Sequence, residues 1–266
     1  MLKQSIQNIS IIGGGNVATQ LGKHLLVQGL NIVQLIVRAE KTAYKDLAAD
    51  LNAELCTDYA HICAEIDLLI IAVSDNAIAS VAAAISENKA LKHILLVHTS
   101  GATPMTILAP FAQRYGVFYP LQTFSKMRHL NMHTVPICVD AILEVDKAIL
   151  LELGQKLSGQ VAIMSDSQRA YLHVGAVLVN NFTNHLFALA QDFTAKHHTP
   201  FSILKPLIIE TIEKLEYMPA KAAQTGPAKR QDENTIQRHL ELIGEDKDLA
   251  QLYKIISESI AKYHLS

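Results

Sequence analysis

The sequence has no long apolar run, little cysteine and almost no excess charge, and each absence removes a class of protein. The longest apolar run, Leu68–Val73, falls far short of the roughly 18 residues that a membrane span needs. Met1–Ser10 alternates polar and apolar residues and lacks the apolar core of a signal peptide. Three cysteines, an odd number, exclude a fully paired disulfide framework and fit a reducing compartment. With 23 Lys+Arg against 25 Asp+Glu the net charge is -2, which gives no general attraction to nucleic acid or to an acidic membrane surface. A Walker loop, a GxSxG elbow, an internal repeat and a low-complexity linker are also missing. Cys56, His61 and Cys63 lack the spacing and the fourth ligand of a zinc site, so core packing is their expected role. His129 and His133 stand four apart without a carboxylate or a third histidine. The expectation is a soluble, cytoplasmic protein whose partners are small molecules.

A core is plainly available. Half of the 266 residues are hydrophobic, and that length suits two ordinary domains. Up to residue 165, short runs rich in Ile, Leu and Val alternate with helical patterns. Asn8–Ile12, Asn31–Val37, Leu68–Val73 and Ile94–His98 have the length and composition of strands buried on both faces. Gly116–Tyr119, Pro136–Val139 and Val161–Met164 read as further strands, with a helix over Leu143–Leu157. This rhythm predicts a doubly wound α/β sheet over residues 1–165. After Ser165 the strand signal stops. Ser165 and Gln168 form a capping box, and the helix it opens can run without a breaker to about His197. Thr199-Pro200 opens another helix that Pro206 should bend, and Asp232–Ile243 and Asp246–Tyr263 are two more. Residues 166–266 are therefore expected to be an all-α domain.

The most specific motif is Gly13-Gly14-Gly15-Asn16-Val17-Ala18, a GxGxxA pattern between the first strand and its helix. In such a turn Gly13 permits the tight bend and Gly15 lets a pyrophosphate approach the backbone. Ala18 lets the helix pack close to the strand, and the helix N-terminus, from Asn16 and Val17 onward, offers amides and a partial positive charge. A dinucleotide is the expected ligand, with a bare structural turn as the alternative. The second strand ends in Val37-Arg38-Ala39-Glu40-Lys41. Arg38 occupies the place of the carboxylate that usually binds the ribose hydroxyls of NAD. A guanidinium there, with Lys41 one turn on, favours the 2′-phosphate of NADP. An ordinary solvated arginine is the competing reading. Val73 and Ser74, after the Leu68–Val73 strand, are expected under the cofactor, unless Ser74 or Asp75 only caps a turn.

Two later loops gather polar groups. His98-Thr99-Ser100-Gly101 leaves a strand at its C-terminal end, where α/β sheets bind ligands. Ser100 and the Gly101 amide can hold a substrate carboxylate or merely cap the next turn. Tyr119–Ser125 brings a phenol, an amide and two hydroxyls together. On the long helix, His173, Asn180 and Asn184 fall within about 20° of one line at α-helical spacing. The line is either a pocket wall or a buried polar network.

With these residues in view, the chain resembles Rossmann-like proteins that carry a C-terminal helical domain of unknown function and are usually described as NADP oxidoreductases. Its N-terminal half is similar to deazaflavin-dependent NADP reductases, pyrroline-5-carboxylate reductase and the β-hydroxyacid dehydrogenases. The matching stretches are Ile11–Ala18, Val97–Ala102, Tyr119–Ser125, the His173…Asn180-Asn181-Phe182 helix and Gln224–Arg230. The resemblance implies a Rossmann domain, a helical dimerisation domain and an active site between them. One departure matters. β-Hydroxyacid dehydrogenases place a lysine on the first long helix of the second domain, with an asparagine one turn later. This chain has His173 there, then Val177, and Asn180 only two turns on. The lysine mechanism therefore does not transfer. His173, Tyr119, Asn180 and Ser100 are the candidate catalytic residues, with His173 the first choice of proton donor and Tyr119 the second. The leading expectation is a homodimeric NADP-dependent oxidoreductase of small carbonyls, imines or hydroxy acids. The alternative is a dimeric NADP(H)-binding redox sensor without turnover.

Overall fold

The structure, a computed structural model, describes residues 5–126, 128 and 130–265. It divides into two compact units, Met1–Asn180 and Asn181–Ser266. The first unit is built on eight strands: β1 Asn8–Ile12, β2 Asn31–Ile36, β3 Glu54–Cys56, β4 Leu68–Ile71, β5 Leu95–His98, β6 Tyr115–Pro120, β7 Ile137–Ala141 and β8 Val161–Ile163. They form one sheet in the order β3-β2-β1-β4-β5-β6-β7-β8. Every neighbouring pair is parallel except β6 and β7. The unit's helices are α1 Asn16–Val27, α2 Thr42–Asp50, α3 Ile78–Ser86, α4 Glu144–Leu157 and α5 Asp166–Ala176.

The apolar runs segregate by the two-residue period of a strand. Ile11, Leu35, Ile70 and Val97 join a core with Leu21, Leu25 and Leu150 on one face. Ile12, Ile36, Ile71 and Leu96 join a second core with Ile78, Val81 and Ile85 on the other. Both faces are covered, which is why these strands read as near-continuous apolar segments. The chain lays β1, β2 and β3 outward in one direction and resumes with β4 on the other side of β1. The strand order therefore reverses between β1 and β4, and the crevice at their C-terminal ends is where open α/β sheets bind ligands.

Four features differ from the sequence reading. β3 is only three residues long, too short for an alternating pattern to show. β7 runs antiparallel to β6, a direction that a short apolar run does not encode. Pro206 lies in the first turn of its helix, where its missing N–H is harmless, so it opens that helix instead of bending it. The capping box forms at Ser165 and Gln168 as expected, but the helical run that follows has a π-helical stretch, Val177–Phe182. A π turn takes more residues than an α turn. The α-helical spacing that set His173, Asn180 and Asn184 on one line therefore does not hold across it.

The second unit is helical: α6 Thr183–Lys196, α7 Lys205–Glu213, α8 Ala220–Ala223, α9 Glu233–Ile243 and α10 Lys247–Leu265. Asp232 accepts the Thr235 amide at 3.0 Å and caps α9, while Gly244 ends it with φ +68. Ala228 is the only buried residue among those described in this unit.

Asp146 on α4 is wholly buried and grips Arg114, the residue before β6, through Nε at 3.1 and 3.2 Å and through Nη2. Removing Asp146 leaves the largely buried Arg114 guanidinium with the His93 carbonyl in place of its carboxylate. Asp146→Ala is expected to cost about 3–5 kcal/mol in urea unfolding. A loss below about 1 kcal/mol, the worth of an exposed pair, would contradict that account.

Candidate functional site

The glycine turn is shaped by three different demands. Gly13 donates its amide to the Ile36 carbonyl at 2.8 Å and has φ +119. A Cβ there would overlap the Ala72 carbonyl at the end of β4. At Gly14 a Cβ would overlap the Tyr44 ring of α2. Gly15 is different: its φ of -80 and ψ of -173 suit any residue, and nothing lies within 4 Å of a Cβ placed on it. The protein itself therefore has no need of glycine at 15, and the space left bare lies beside the first amides of α1. That helix has no side-chain cap and no carboxylate in its first turn, so its N-terminal amides remain available to an anion. Ala18, fully buried, lets α1 lie close to β1.

Around this turn is a cleft of about 490 Å³ lined by Gly13, Gly14, Gly15, Asn16, Val17, Arg38, Lys41, Tyr44, Val73, Ser74 and Thr99, among others. All eight residues expected to bind a cofactor are brought together here. Arg38 and Lys41 are exposed at the end of β2. Glu40, the nearest carboxylate in sequence, is held by Lys45 at 2.7 Å, so it does not neutralise them. Ser74 makes no capping bond from its side chain, which removes the simplest structural explanation for it.

Thr99 leads from this cleft to a second cluster. Ser100 is buried, and its hydroxyl accepts the amides of Ala102 at 3.2 Å and Thr103 at 2.9 Å. The same hydroxyl donates to Thr103 Oγ1 at 3.0 Å. Ser100 thus shapes its own turn, and the turn carries Gly101 against two rings. Tyr119, at the end of β6, meets His173 of α5 with its hydroxyl 3.1 Å from Nδ1. A Cβ on Gly101 would stand 2.6 Å from both His173 Nδ1 and Tyr119 Cζ. The pair exists because residue 101 has no side chain. Burial above all, with Cys138 and Asp75 adding to it and Arg169 opposing, pushes the Tyr119 phenol up to about 12. It stays protonated at neutral pH.

Beneath the turn lie two buried groups that the sequence reading did not single out. His98 Nδ1 accepts the Ser100 amide at 3.1 Å, which puts the ring proton on Nε2, and that atom has no hydrogen-bond partner. Burial, followed by the Arg169 charge, pushes the His98 pKa down to about 4, against smaller opposing effects of Pro104, Asp166 and Asp75. Arg169 of α5 is itself fully buried. Its Nη2 donates to the Thr103 carbonyl and to Asp166 Oδ1, both at 2.7 Å, while Nε and Nη1 have no partner. Asp166 Oδ1 also accepts the Met105 amide at 2.9 Å, tying α5 to the same turn. Nothing in the pattern of α5 separates Arg169 from a solvated arginine; only its contacts do.

Other expected groups are dispersed. Asn180 is exposed on the π stretch, and Asn184 lies in the second unit. Beyond Tyr119, the Tyr119–Ser125 segment meets α1 through backbone carbonyls, Phe124 accepting from Asn16 and Ser125 from Gln20. His129 lies outside the described residues. Cys56, Cys63 and Cys138 are free thiols, and no group of three metal-ligating side chains occurs among the described residues. Nor is any described helix long and apolar enough to cross a membrane.

A doubly wound sheet whose glycine turn opens a bare helix N-terminus defines the class of dinucleotide-binding Rossmann proteins. Comparison with known proteins gives the family. Residues 1–122 match the Rossmann-like domain and residues 135–260 match a domain of unknown function, DUF2520. The chain is 39% identical to a Bacteroides fragilis protein whose crystal structure is described as that of a "putative NADP oxidoreductase", covering 97% of this chain and 99% of that one with a TM-score of 0.90. It belongs to that protein's family, with a Rossmann-like domain followed by a DUF2520 domain. A reductive aminase from Aspergillus terreus, solved with NADPH and ethyl levulinate, shares the fold at 17% identity and a TM-score of 0.69, over 97% of this chain and 94% of that one. An imine reductase from Myxococcus stipitatus, solved with NADP+, does so at 15% identity and 0.63, over 97% and 95%. No curated protein matches the sequence.

The buried imidazole makes stability depend on acid. His98 binds its proton less readily folded, at about 4, than at the ordinary 6.5 of the unfolded chain. Between those values the unfolded state takes up more protons, so stability is full above pH 6.5 and falls as pH drops towards 4, by up to about 3 kcal/mol. His98→Asn retains an acceptor for the Ser100 amide but cannot titrate. Urea midpoints measured from pH 7 to 4.5 are expected to fall less in the variant than in the wild type. Parallel curves would remove His98 as the cause.

Proposed function

We propose that the chain is an NADP-dependent oxidoreductase that reduces a small carbonyl or imine, or oxidises the corresponding alcohol or amine. The observation that carries this reading is the cleft whose glycine at 15 serves no internal need, joined through Thr99 to a protonated phenol paired with an imidazole. Gly13, Gly15, Asn16 and Val17 would receive the pyrophosphate on the α1 amides, Val73 and Ser74 would line the path of the cofactor, and Arg38 with Lys41 would bind the 2′-phosphate. Bound there, NADPH supplies a hydride to the carbon of a C=N or C=O bond.

The chain's own residues supply the proton. Tyr119, kept as a phenol by burial, donates its O–H proton to the nitrogen or oxygen of that bond. His173, 3.1 Å away, then relays a proton to the phenolate oxygen from Nδ1–H as Nε2 takes one from solvent, which the half-buried ring permits. Tyr119 thus takes the place of proton donor expected first of His173, and His173 becomes its proton source. Ser100, whose hydroxyl is taken up by its own turn, acts through the turn that leaves Gly101 bare beneath both rings and not as a holder of a substrate carboxylate. The relatives solved with NADPH and NADP+ support the cofactor, and the aminase and imine reductase relatives favour a C=N substrate.

The experiment is a panel of small carbonyls and imines followed by NADPH absorbance, with cofactor titrations alongside. Wild type is expected to bind NADPH over NADH by about ten- to a hundredfold and Arg38→Ala to narrow that preference. His173→Ala should cut turnover by roughly two to four orders of magnitude while leaving NADPH binding intact. Equal affinities for the two cofactors in the wild type refute the assignment. A wild type that binds NADPH and turns over nothing in the panel leaves a binding protein without this chemistry.

We further propose a homodimer through the helical unit. Large apolar side chains there are exposed, among them Phe182 at 57%, Ile203 at 67% and Leu242 at 67%, while among the described residues Ala228 alone is buried. A mostly apolar cleft of about 450 Å³ lies among Leu186, Leu189, Phe193, Leu242 and Tyr253. A second copy is the simplest cover for so much unburied surface. Light scattering is expected to give twice the 29.2 kDa of one chain, and a monomer at micromolar concentration would refute it.

A further inference from the structure

We propose that Lys126 is a third cation of the dinucleotide site, directed at the 2′-phosphate and not at the pyrophosphate. The proposal rests on the reading of the cleft as an NADP(H) site and names a residue that neither the glycine motif nor the end of β2 contains.

Lys126 lies in the segment after β6, more than a hundred residues from the glycine turn, yet α1 fixes the backbone on either side of it. Asn16 Nδ2 donates to the Phe124 carbonyl at 2.9 Å, and Gln20 Nε2 donates to the Ser125 carbonyl at 2.6 Å and to the Arg128 carbonyl at 3.2 Å. These two side chains, one at the first position of α1 and the other a turn later, set where residue 126 can reach. The ammonium of Lys126 donates to the Gly14 carbonyl at 2.7 Å and stands 6.0 Å from the centre of the Tyr44 ring. Lys41 stands 5.8 Å from the same ring. Tyr44 in turn is the side chain that excludes a Cβ at Gly14.

Two ammonium groups therefore share one aromatic ring, and neither forms an ion pair with a carboxylate among the described residues. Each ammonium is attracted by the ring, and both charges add to the positive field that an anion beside Tyr44 would meet. One donor of Lys126 is used on Gly14, and an ammonium has three, so two remain for phosphate oxygens. The choice of phosphate follows from the neighbours. Lys41 and Arg38 follow β2, the place where Rossmann proteins read the adenosine ribose, whereas the amides of α1 suffice for a pyrophosphate. Tyr44 joins Lys126 to the first group.

The test is fluorescence titration of NADPH and NADH into wild type, Lys126→Met and Lys126→Arg, each at low and moderate salt. Lys126→Met is expected to weaken NADPH by about tenfold and NADH by less than twofold. Lys126→Arg should keep most of the NADPH affinity, and NADPH binding by Lys126→Met should depend less on salt than the wild type does. An NADPH affinity unchanged in Lys126→Met overturns the proposal. Equal weakening of both cofactors also overturns it, because the charge would then act on the pyrophosphate or on the glycine turn itself. A wild type that binds neither cofactor brings down the reading of the cleft as well, an outcome distinct from the other two.

Discussion

Everything at this site depends on how closely the ends of β1 and β4 approach. The Gly13 amide bonds to Ile36 of β2 on one side, and the space of its missing side chain is taken by the Ala72 carbonyl after β4 on the other. Three strand ends therefore converge on one residue. No side chain fits between them, and the φ of +119 excludes the alternatives on conformational grounds as well. Because strand order reverses at this junction, the loops after β1 and β4 diverge to opposite faces of the sheet and leave a crevice. The helix that begins at Asn16 then points bare amides into it.

The second cluster applies the same device one strand pair further along. Gly101 is flat so that a phenol and an imidazole can meet above it, and the turn that holds it flat is stabilised from below by buried polar groups. A neutral His98 accepts one amide, and a buried guanidinium holds the Thr103 carbonyl and Asp166 together. Burying Arg169 with two nitrogens unpartnered is costly, and its contact with Asp166 offsets only part of that cost. A turn that served packing alone would not need a charge there. The Arg169 charge also lowers the proton affinity of the buried groups near it, His98, Tyr119 and Cys138, which moderates the effect of burial on the phenol.

The sequence was most legible where one residue type has one physical use. The GxGxxA turn, the capping box at Ser165 and the strands that bury both faces could all be read directly, because their spacing is set by local geometry. The doubled cation at the end of β2 was legible for the same reason. What escaped was set by contacts across long stretches of chain. Lys126 reaches Gly14 over 112 residues, and Arg169 is distinguished only by being buried against Thr103, 66 residues earlier. By sequence Gly101 offers an amide donor, whereas its more demanding property is the lack of a Cβ beneath Tyr119 and His173.

The line of His173, Asn180 and Asn184 failed for a different reason. Helical periodicity is a sound guide only while every turn is α, and six residues from Val177 to Phe182 wind as a π helix. Such a widened turn lacks regular i to i−4 bonding and seldom persists without a tertiary reason. It also leaves Leu178, Val179 and Phe182 more than half exposed in this chain. A segment that gives up both regular hydrogen bonding and apolar burial draws little stability from its own fold. Its neighbour in sequence, the second unit, shows the same deficit on a larger scale: Asp232 and Asp246 cap α9 and α10, but α6, α7 and α8 have no side-chain cap and large apolar side chains stand exposed. Caps decide where a helix begins and ends, but packing is what keeps it folded. In the helical unit the exposed apolar side chains are therefore where further stability is to be gained, since capping alone does not supply it.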